Sequence, residues 1–386
     1  MKNSIIVFFF SLSFIFGCNS ENSNYQGFNE FESVVVDSIQ VDYLGSLFLF
    51  GYKDDEGLYI GRSNSDGDYI LFDETGDIIH QFQLSFDGPN AMSWELGMGI
   101  LDAKFTIMDQ NKGLIQFSNE GEILNRVSIP ENYFYFNSLN FPAYKLDENY
   151  AYSRPERGDI DWGNLEVLIK SFYQSPLLEV FNPKTGDVKH TMEFPKNTVY
   201  ESGQYFMVLP PPIIKRGNEW IVYFLAEMKY HVYNENEGEV TYTKTVDLNI
   251  NKAIPMPSVP IKEYASWYER HGNIIFGKIE QLFIREHDII VIYTKGVEED
   301  ISSAYNPENQ SEWINFVSNI PRYAAILDHD HQLIQNDIAL PKGLIFTSVT
   351  DNEGKILALK HQDYFEVEED IVTYYKLNFT NAESIK

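Results

Sequence analysis

A short β run, a tight polar turn and a second β run recur along this chain, and this repetition constrains its fold more than any other feature. Copies of this hairpin element occupy residues 70–79, 115–124, 178–188, 230–240 and 325–334. The turns contain sequences such as Asn-Glu-Gly and Thr-Gly-Asp, which favour β-hairpins because glycine adopts positive φ without strain. The chain is therefore predicted to consist of repeated hairpins.

A second set of turns precedes the hairpin elements, at residues 53–57, 101–104, 146–149, 215–219, 285–288 and 351–354. Successive turns of this set are roughly 45 to 70 residues apart, and a propeller blade needs about 40 to 50 residues before insertions. Two hairpins per unit give four strands. The pattern predicts an all-β fold, a six-bladed β-propeller of four-stranded antiparallel blades. The 15% share of aromatic residues fits the side-chain preferences of strands.

The last unit supplies only three strands of its own, at residues 344–348, 356–359 and 371–379. The β-branched run at residues 33–41 has no partner at the start of the chain. We expect this N-terminal strand to become the fourth strand of the last blade, because that closes the ring and removes exposed sheet edges. Two separate β-sandwiches are the alternative.

Residues 105–117 resemble the strand-loop-strand of NHL-type propeller repeats, ending in an Ile-Gln-Phe strand. As a whole, the chain resembles the six-bladed, TolB-like propeller lipoproteins of Bacteroidota-type bacteria, a group whose members mostly have no assigned function. The resemblance implies an architecture and a leader. It brings no catalytic motif.

The N-terminus has the pattern of a lipoprotein leader. Lys2 precedes a short apolar run at residues 5–16, which is too short to span a bilayer. Gly17 and the single cysteine, Cys18, follow in a sequence that resembles the bacterial lipobox, which implies lipidation at Cys18. The alternative is an ordinary secretory leader with an incidental cysteine. The predicted organisation is a signal peptide at residues 1–17, the lipidated cysteine and a flexible tether at 18–32, and a single propeller domain at 33–386.

The residue after the cysteine indicates the location of the protein, and its charge and cysteine count limit its partners. Asn19 follows the cysteine where Asp commonly signals inner-membrane retention, so the outer membrane is the preferred site, with its periplasmic or surface side left open. A net charge of −28 disfavours binding to nucleic acid, because polyanions are repelled. A single cysteine excludes intramolecular disulfides and Cys-based metal sites in this chain.

The long insertions all fall on one predicted face of the propeller, at residues 85–95, 154–176, 250–273 and 295–322. Long connections in a compact domain are usually functional or disordered. These segments also contain four of the five tryptophans. The candidate ligand-binding residues are Arg154, Arg157, Asp159, Asp161, Trp162, Tyr264, Trp267, Tyr268, His271 and Trp313. Packing between loops and surface ion pairs are the alternative role for all of them.

Three other motifs have ordinary structural explanations. Asp328-His329-Asp330-His331 has metal-ligand residue types but lies in a repeat turn on the opposite face, where a structural or solvated role is favoured. Residues 64–68 are rich in oxygen ligands but lack the Glu of a calcium-binding EF-hand. Pro210-Pro211-Pro212 is expected to shape a strand that approaches the central channel. No resident metal or cofactor is predicted, with Ca²⁺ as the one cofactor left open.

The leading hypothesis for function is a non-enzymatic binding or scaffold protein, attached to the cell envelope by lipid and holding an unknown peptide, glycan or protein partner. A propeller hydrolase or lyase of the lactonase or glycosidase kind is the alternative, supported only by fold analogy. A purely structural envelope component is the third possibility.

Overall fold

The computed structural model describes residues 30–63, 66–85, 87–88, 91–130, 133–134, 141–157, 161, 163–207, 210–306, 309–367 and 369–381. The leader, Cys18 and most of the tether at residues 18–32 lie outside this part of the chain. Signal-peptide cleavage, lipidation and the flexible tether therefore stay predictions.

Six four-stranded antiparallel sheets form the ring, as the repeats predicted. Strand β1 (Phe31–Val41) comes first in the chain and belongs to the last sheet. Blade 1 contains β2 (Leu47–Lys53), β3 (Leu58–Ser63), β4 (Asp68–Asp73) and β5 (Ile78–Gln83). Blade 2 contains β6 (Glu95–Leu101), β7 (Lys104–Asp109), β8 (Gly113–Phe117) and β9 (Ile123–Val127). Two-residue strands β10 (Tyr133–Phe134) and β13 (Glu156–Arg157) pair with each other beside blade 3, which contains β11 (Ala143–Leu146), β12 (Asn149–Ser153), β14 (Leu178–Phe181) and β15 (Val188–Thr191).

The second half of the ring repeats the same order. A short pair, β16 (Gln204–Tyr205) and β21 (Val259–Pro260), flanks blade 4, which contains β17 (Ile213–Arg216), β18 (Glu219–Tyr223), β19 (Lys229–Asn236) and β20 (Glu239–Asp247). Blade 5 contains β22 (Ile275–Ile284), β23 (Ile289–Val297), β24 (Arg322–Leu327) and β25 (Leu333–Ala339). Blade 6 contains β26 (Leu344–Thr350), β27 (Ile356–Lys360), β28 (Val372–Asn381) and β1.

Strand β1 closes the ring, which confirms the prediction for the N-terminal strand. It pairs antiparallel with β28, from Phe31 opposite Asn381 to Val41 opposite Val372, with one bulge after Val35. The strand begins at Phe31, two residues before the predicted start. The observed single ring excludes the alternative of two β-sandwiches.

Each junction between neighbouring blades contains its own hydrophobic cluster. Side chains alternate between the two sides of a strand, so a middle strand buries residues against both neighbouring blades. In β3, Tyr59 packs toward blade 6, whereas Leu58 and Ile60 pack toward blade 2. Trp220 is fully buried between blades 3 and 4. Burying one Leu, Ile or Phe side chain in such a cluster contributes about 1.5 to 3 kcal/mol.

The described helices are short and lie in connections between strands. They are α1 (Glu166–Phe172), α2 (Trp267–His271), α3 (Glu299–Ser302), α4 (Gln310–Ser318) and α5 (Gln362–Phe365), with 3₁₀ turns at Val199–Ser202 and Ile261–Ser266. Within the described ranges, every helix is too short or too polar to cross a bilayer. Local sequence does not predict these helices, because short helices depend on tertiary packing more than on local propensity.

Candidate functional site

The two faces of the propeller differ in the length of their connections. On the short-turn face, two to six residues join the first strand to the second and the third to the fourth. On the opposite side, the long-loop face, lie the connections from second to third strands and from blade to blade. All the described helices lie on the long-loop face. The connection 250–273 and the described parts of 85–95, 154–176 and 295–322 lie there as predicted.

A central channel of about 410 Å³ runs between the first strands of all six blades. Its wall combines apolar side chains, such as Phe50 and Phe283, with polar groups that include Gln281 and Thr350. Its one lysine, Lys215, donates to the carbonyl of Lys145 at 2.8 Å, pairs with Glu235 at 2.7 Å and stands over the ring of Trp220. The charge of that lysine is therefore balanced within the protein. The three prolines at 210–212 are buried just before β17, a channel-lining strand, which agrees with their predicted position.

The two candidate arginines of blade 3 are engaged by carboxylates of the same blade. Arg154 pairs with Glu156 and donates from Nε to the Pro176 carbonyl at 3.0 Å. Arg157 forms a two-point contact with Glu179, including Nε to Oε2 at 3.0 Å. The Arg154 side chain is 14% exposed and that of Arg157 is 31% exposed, so Arg157 is the better placed to meet a ligand.

Glu179 is a buried carboxylate that the sequence analysis did not single out. It also accepts a 2.6 Å hydrogen bond from the Tyr152 hydroxyl and lies 3.4 Å from Nε2 of His190. A buried carboxylate requires such partners, because an isolated charge is costly to desolvate. The signal that would have found it is a single acid within the apolar strand Leu178–Phe181.

Of the three remaining candidates in this insertion, Asp161 is among the described residues. Asp161 is exposed, and its carboxylate accepts a hydrogen bond from the backbone of Gly163 at 2.9 Å. Asp159 and Trp162 lie outside the described residues, so their roles stay predictions. Helix α1, which follows them, packs against the 3₁₀ turn Ile261–Ser266.

The aromatic group at residues 264–271 contains one buried ring and one exposed ring. Trp267 is only 2% exposed, and its indole N–H donates to the Pro257 carbonyl at 2.9 Å. Tyr268, the next residue, is 64% exposed. The hydroxyl of Tyr264 lies 3.5 Å from the backbone nitrogen of Leu165, which joins this group to the insertion of blade 3. Trp267 thus packs the connection, and Tyr268 is the aromatic ring available to a ligand.

His271 and Trp313 are partly buried. The His271 ring lies 6.0 Å from that of Trp267. Trp313 lies on α4 with its ring 5.7 Å from Phe316, and α4 packs against α5 of blade 6. The structure therefore joins the 264–271 connection to the insertion of blade 3 through Tyr264 and Leu165, and it places Trp313 with the helices of blades 5 and 6.

Packed aromatic rings lie in the protein interior beneath the long-loop face. The ring centroids of Tyr173 and Tyr200 are 4.5 Å apart, and Phe224 lies 5.1 Å from Tyr200. The Tyr173 hydroxyl accepts a hydrogen bond from the backbone of Phe206 at 3.2 Å. Burial raises the pKa of Tyr173 and of Tyr200 far above the ordinary tyrosine value, so both stay neutral.

The helices of the long-loop face expose apolar side chains that the sequence analysis missed. The exposed members are Val167 on α1, Ile301 on α3, Ile314 on α4 and Phe365 on α5. They join Tyr268 on α2, so each of the five helices presents one. The local sequence contains no strong periodic signal in segments this short, which is why they were not identified.

The metal-like motif on the short-turn face has a structural role. His331 is buried, with Nδ1 2.9 Å from the Tyr230 hydroxyl and Nε2 3.1 Å from Glu219, so it joins blade 5 to blade 4. Asp328 accepts a 2.7 Å hydrogen bond from the backbone of Gln332. In the described part of the chain, no three His, Cys, Asp or Glu side chains come together as metal ligands would. Asn64 and Ser65 of the oxygen-rich loop lie outside the described residues.

Comparison with known proteins supports the fold. No family model and no curated protein matches this sequence. The structure is similar to that of a DUF4221 family member from Bacteroides vulgatus, with a TM-score of 0.64, 14% identity and coverage of 92% of this chain and 100% of that one. It is also similar to a protein of Bacteroides fragilis described as exported, with a TM-score of 0.54, 11% identity and coverage of 93% and 98%. The TolB-like and NHL-like subtype stays a prediction.

Proposed function

We propose that this protein is a binding or scaffold module of the cell envelope that holds a peptide, glycan or protein partner on its long-loop face. The observation that carries the proposal is the concentration of all described helices, each with an exposed apolar side chain, on that one face. Connections that a rigid scaffold holds on one face carry binding residues more often than the scaffold itself does. Arg157 and Tyr268 add a charge and an aromatic ring, residue types that often dominate binding energy.

The position of the first described strand supports attachment through the opposite face. Phe31 pairs with Asn381, the last residue of β28. Strand β28 begins at the long-loop face and ends at the short-turn face, so β1 begins at the short-turn face. A lipid at Cys18 would therefore tether the short-turn face and leave the long-loop face directed away from the membrane. Asn19 favours the outer membrane for this anchor. Two or more acyl chains would hold the protein there, since each buried methylene contributes about 0.8 kcal/mol.

Crosslinking in intact cells tests the choice of face. A photoreactive phenylalanine would replace Val167 or Tyr268 on the long-loop face, and Val188 or Leu333 at the short-turn ends of the outer strands as matched exposed controls. We expect adducts from the first two positions and none from the controls. Equal adducts from both sets would show that the long-loop face is not the binding surface.

Fractionation and a thermal shift test the other parts of the proposal. Cys18→Ser should move the protein from the membrane to the soluble fraction, whereas retention in the membrane would contradict lipid anchoring. The Tm should not respond to Ca²⁺. A rise in Tm with Ca²⁺ that a chelator reverses, without adducts specific to one face, would support a calcium-dependent hydrolase instead.

A further inference from the structure

A cavity of about 420 Å³ opens on the long-loop face where blade 6 meets blade 1. Its volume is within the range of about 300 to 1,000 Å³ that is typical of small-molecule sites. One wall is apolar and comprises Phe48, Ile345, Leu359 and Val372. These residues come from β2 of blade 1 and from β26, β27 and β28 of blade 6, the blade that β1 completes. None of them is among the candidate residues described above.

The polar wall, formed by other lining residues, contains an ion pair with unused hydrogen-bonding capacity. Lys360 Nζ lies 2.5 Å from Glu369 Oε1, and the two side chains are 14% and 29% exposed. The same ammonium stands 5.5 Å from the centroid of the Phe365 ring. Among the described residues, no second acceptor reaches Lys360 Nζ and no donor reaches Glu369 Oε2. An ammonium has three N–H donors, so both charged groups can still bind a ligand.

His361 adds a donor beside Lys360. Its Nδ1 accepts a hydrogen bond from the backbone nitrogen of Tyr364 at 3.1 Å, which places the proton of the neutral ring on Nε2. Among the described residues, Nε2 has no partner. Gln362 donates to the carbonyls of Glu369 and Ile371 at 3.2 and 3.1 Å, which holds the two ends of this connection together. The polar wall is thus organised before any ligand arrives.

The geometry points to a zwitterionic ligand with an apolar side chain, such as a short peptide or an amino acid. Its carboxylate would bind between Lys360 and His361, its ammonium would bind Glu369, and its side chain would cover the apolar wall. A net-neutral ligand also suits a chain with a net charge of −28, which repels anions such as phosphate. This inference rests on the proposed function. Of the three partner classes named there (peptide, glycan and protein), it selects peptides.

Calorimetry with L-leucyl-L-leucine tests the assignment on the full-length protein in detergent. We expect the wild-type protein to bind this dipeptide and Lys360→Met or Glu369→Gln to weaken binding about tenfold or more, because each removes a charge-assisted hydrogen bond. Lys189→Met is the control. It removes a more exposed ion pair, with Glu239 at 2.8 Å, near the short-turn face, and it should leave binding unchanged. An unchanged Tm would show that each variant is folded.

Two blocked or neutral probes make the test decisive. N-acetyl-leucinamide has the apolar side chain without either charge, and it should bind at least about tenfold more weakly. Absence of dipeptide binding, or equally strong binding of the blocked compound, would overturn the assignment. The neutral disaccharide maltose is the second probe. If maltose binds and Lys360→Met and Glu369→Gln abolish its binding, the assignment is also overturned. If dipeptide binding fails while crosslinks specific to the long-loop face persist, the cavity assignment alone is wrong. If those crosslinks also fail, the proposed function is wrong as well.

Discussion

At the scale of single residues, Trp267 and Tyr268 differ sharply although they are adjacent. Trp267 is buried among the side chains between blades 3 and 4, whereas Tyr268 points outward. Trp267→Ala should therefore lower the free energy of unfolding by about 3 to 5 kcal/mol, the usual cost of truncating a large core residue. Tyr268→Ala should cost less than about 1 kcal/mol. Urea unfolding of both variants gives the comparison, and equal losses would contradict the assigned roles.

A pH dependence is expected at Glu56, between blades 1 and 2. Hydrogen bonds from Lys53, at 2.6 Å, and from Asn119 lower the pKa of this carboxyl below its ordinary value of 4.5. A carboxyl whose pKa is lower in the folded than in the unfolded state stabilises the fold at pH values above its ordinary pKa. This stabilisation is lost as the pH falls through the pKa of the folded state. Glu56→Gln should thus be less stable than wild type at neutral pH.

The stability difference between Glu56→Gln and the wild type should shrink as the pH falls below 4.5. Urea unfolding at neutral pH and at acidic pH measures it. Glu122→Gln changes an exposed carboxyl in a neighbouring turn and serves as the control, with little expected difference at either pH. A difference for Glu56→Gln that does not depend on pH would contradict the assignment.

At the scale of elements, two turns with the same Thr-Gly-Asp sequence have different tertiary surroundings. Gly76 and Gly186 both have positive φ, at +94° and +79°. A Cβ at Gly76 would overlap the carbonyl oxygen of Gln40 in β1, whereas a Cβ at Gly186 would meet nothing within 4 Å. Gly186→Ala should cost about 1 to 2 kcal/mol from backbone strain.

Gly76→Ala should cost more than Gly186→Ala, because the overlap adds about 1 to 3 kcal/mol to the same strain. Thermal and urea unfolding of the two variants test this expectation directly. Equal costs would show that the turn of blade 1 moves away from β1 without penalty.

The elements themselves were predictable to different degrees. The hairpin turns on the short-turn face follow from local sequence, because glycine and asparagine chemistry sets the turn with little help from the rest of the chain. The helices in the insertions were not predicted. A helix as short as α2 or α5 is unstable alone, and contacts made in the folded ring stabilise it.

At the scale of the whole molecule, stability depends on closure by β1. Ile39 is 1% exposed and packs in the cluster between blades 6 and 1, while Val36 on the same strand is 45% exposed. Ile39→Ala should lower the free energy of unfolding by about 2 to 5 kcal/mol, and Val36→Ala by less than about 1 kcal/mol. A small effect of Ile39→Ala on the cooperative unfolding transition would indicate that the ring holds without its closing strand.

The sequence by itself determined the repeated hairpins and their turns, because turn residues and alternating side chains are local patterns. It also favoured a six-bladed ring with a closing N-terminal strand over two β-sandwiches. Only the tertiary structure decided which loop residues face outward, as Trp267 and Tyr268 show. It also placed the carboxylate of Glu179 against Arg157 and assembled the cavity around Lys360. Such sites join residues that are distant in sequence, and their geometry depends on how blades and loops pack. Local sequence patterns do not predict that packing.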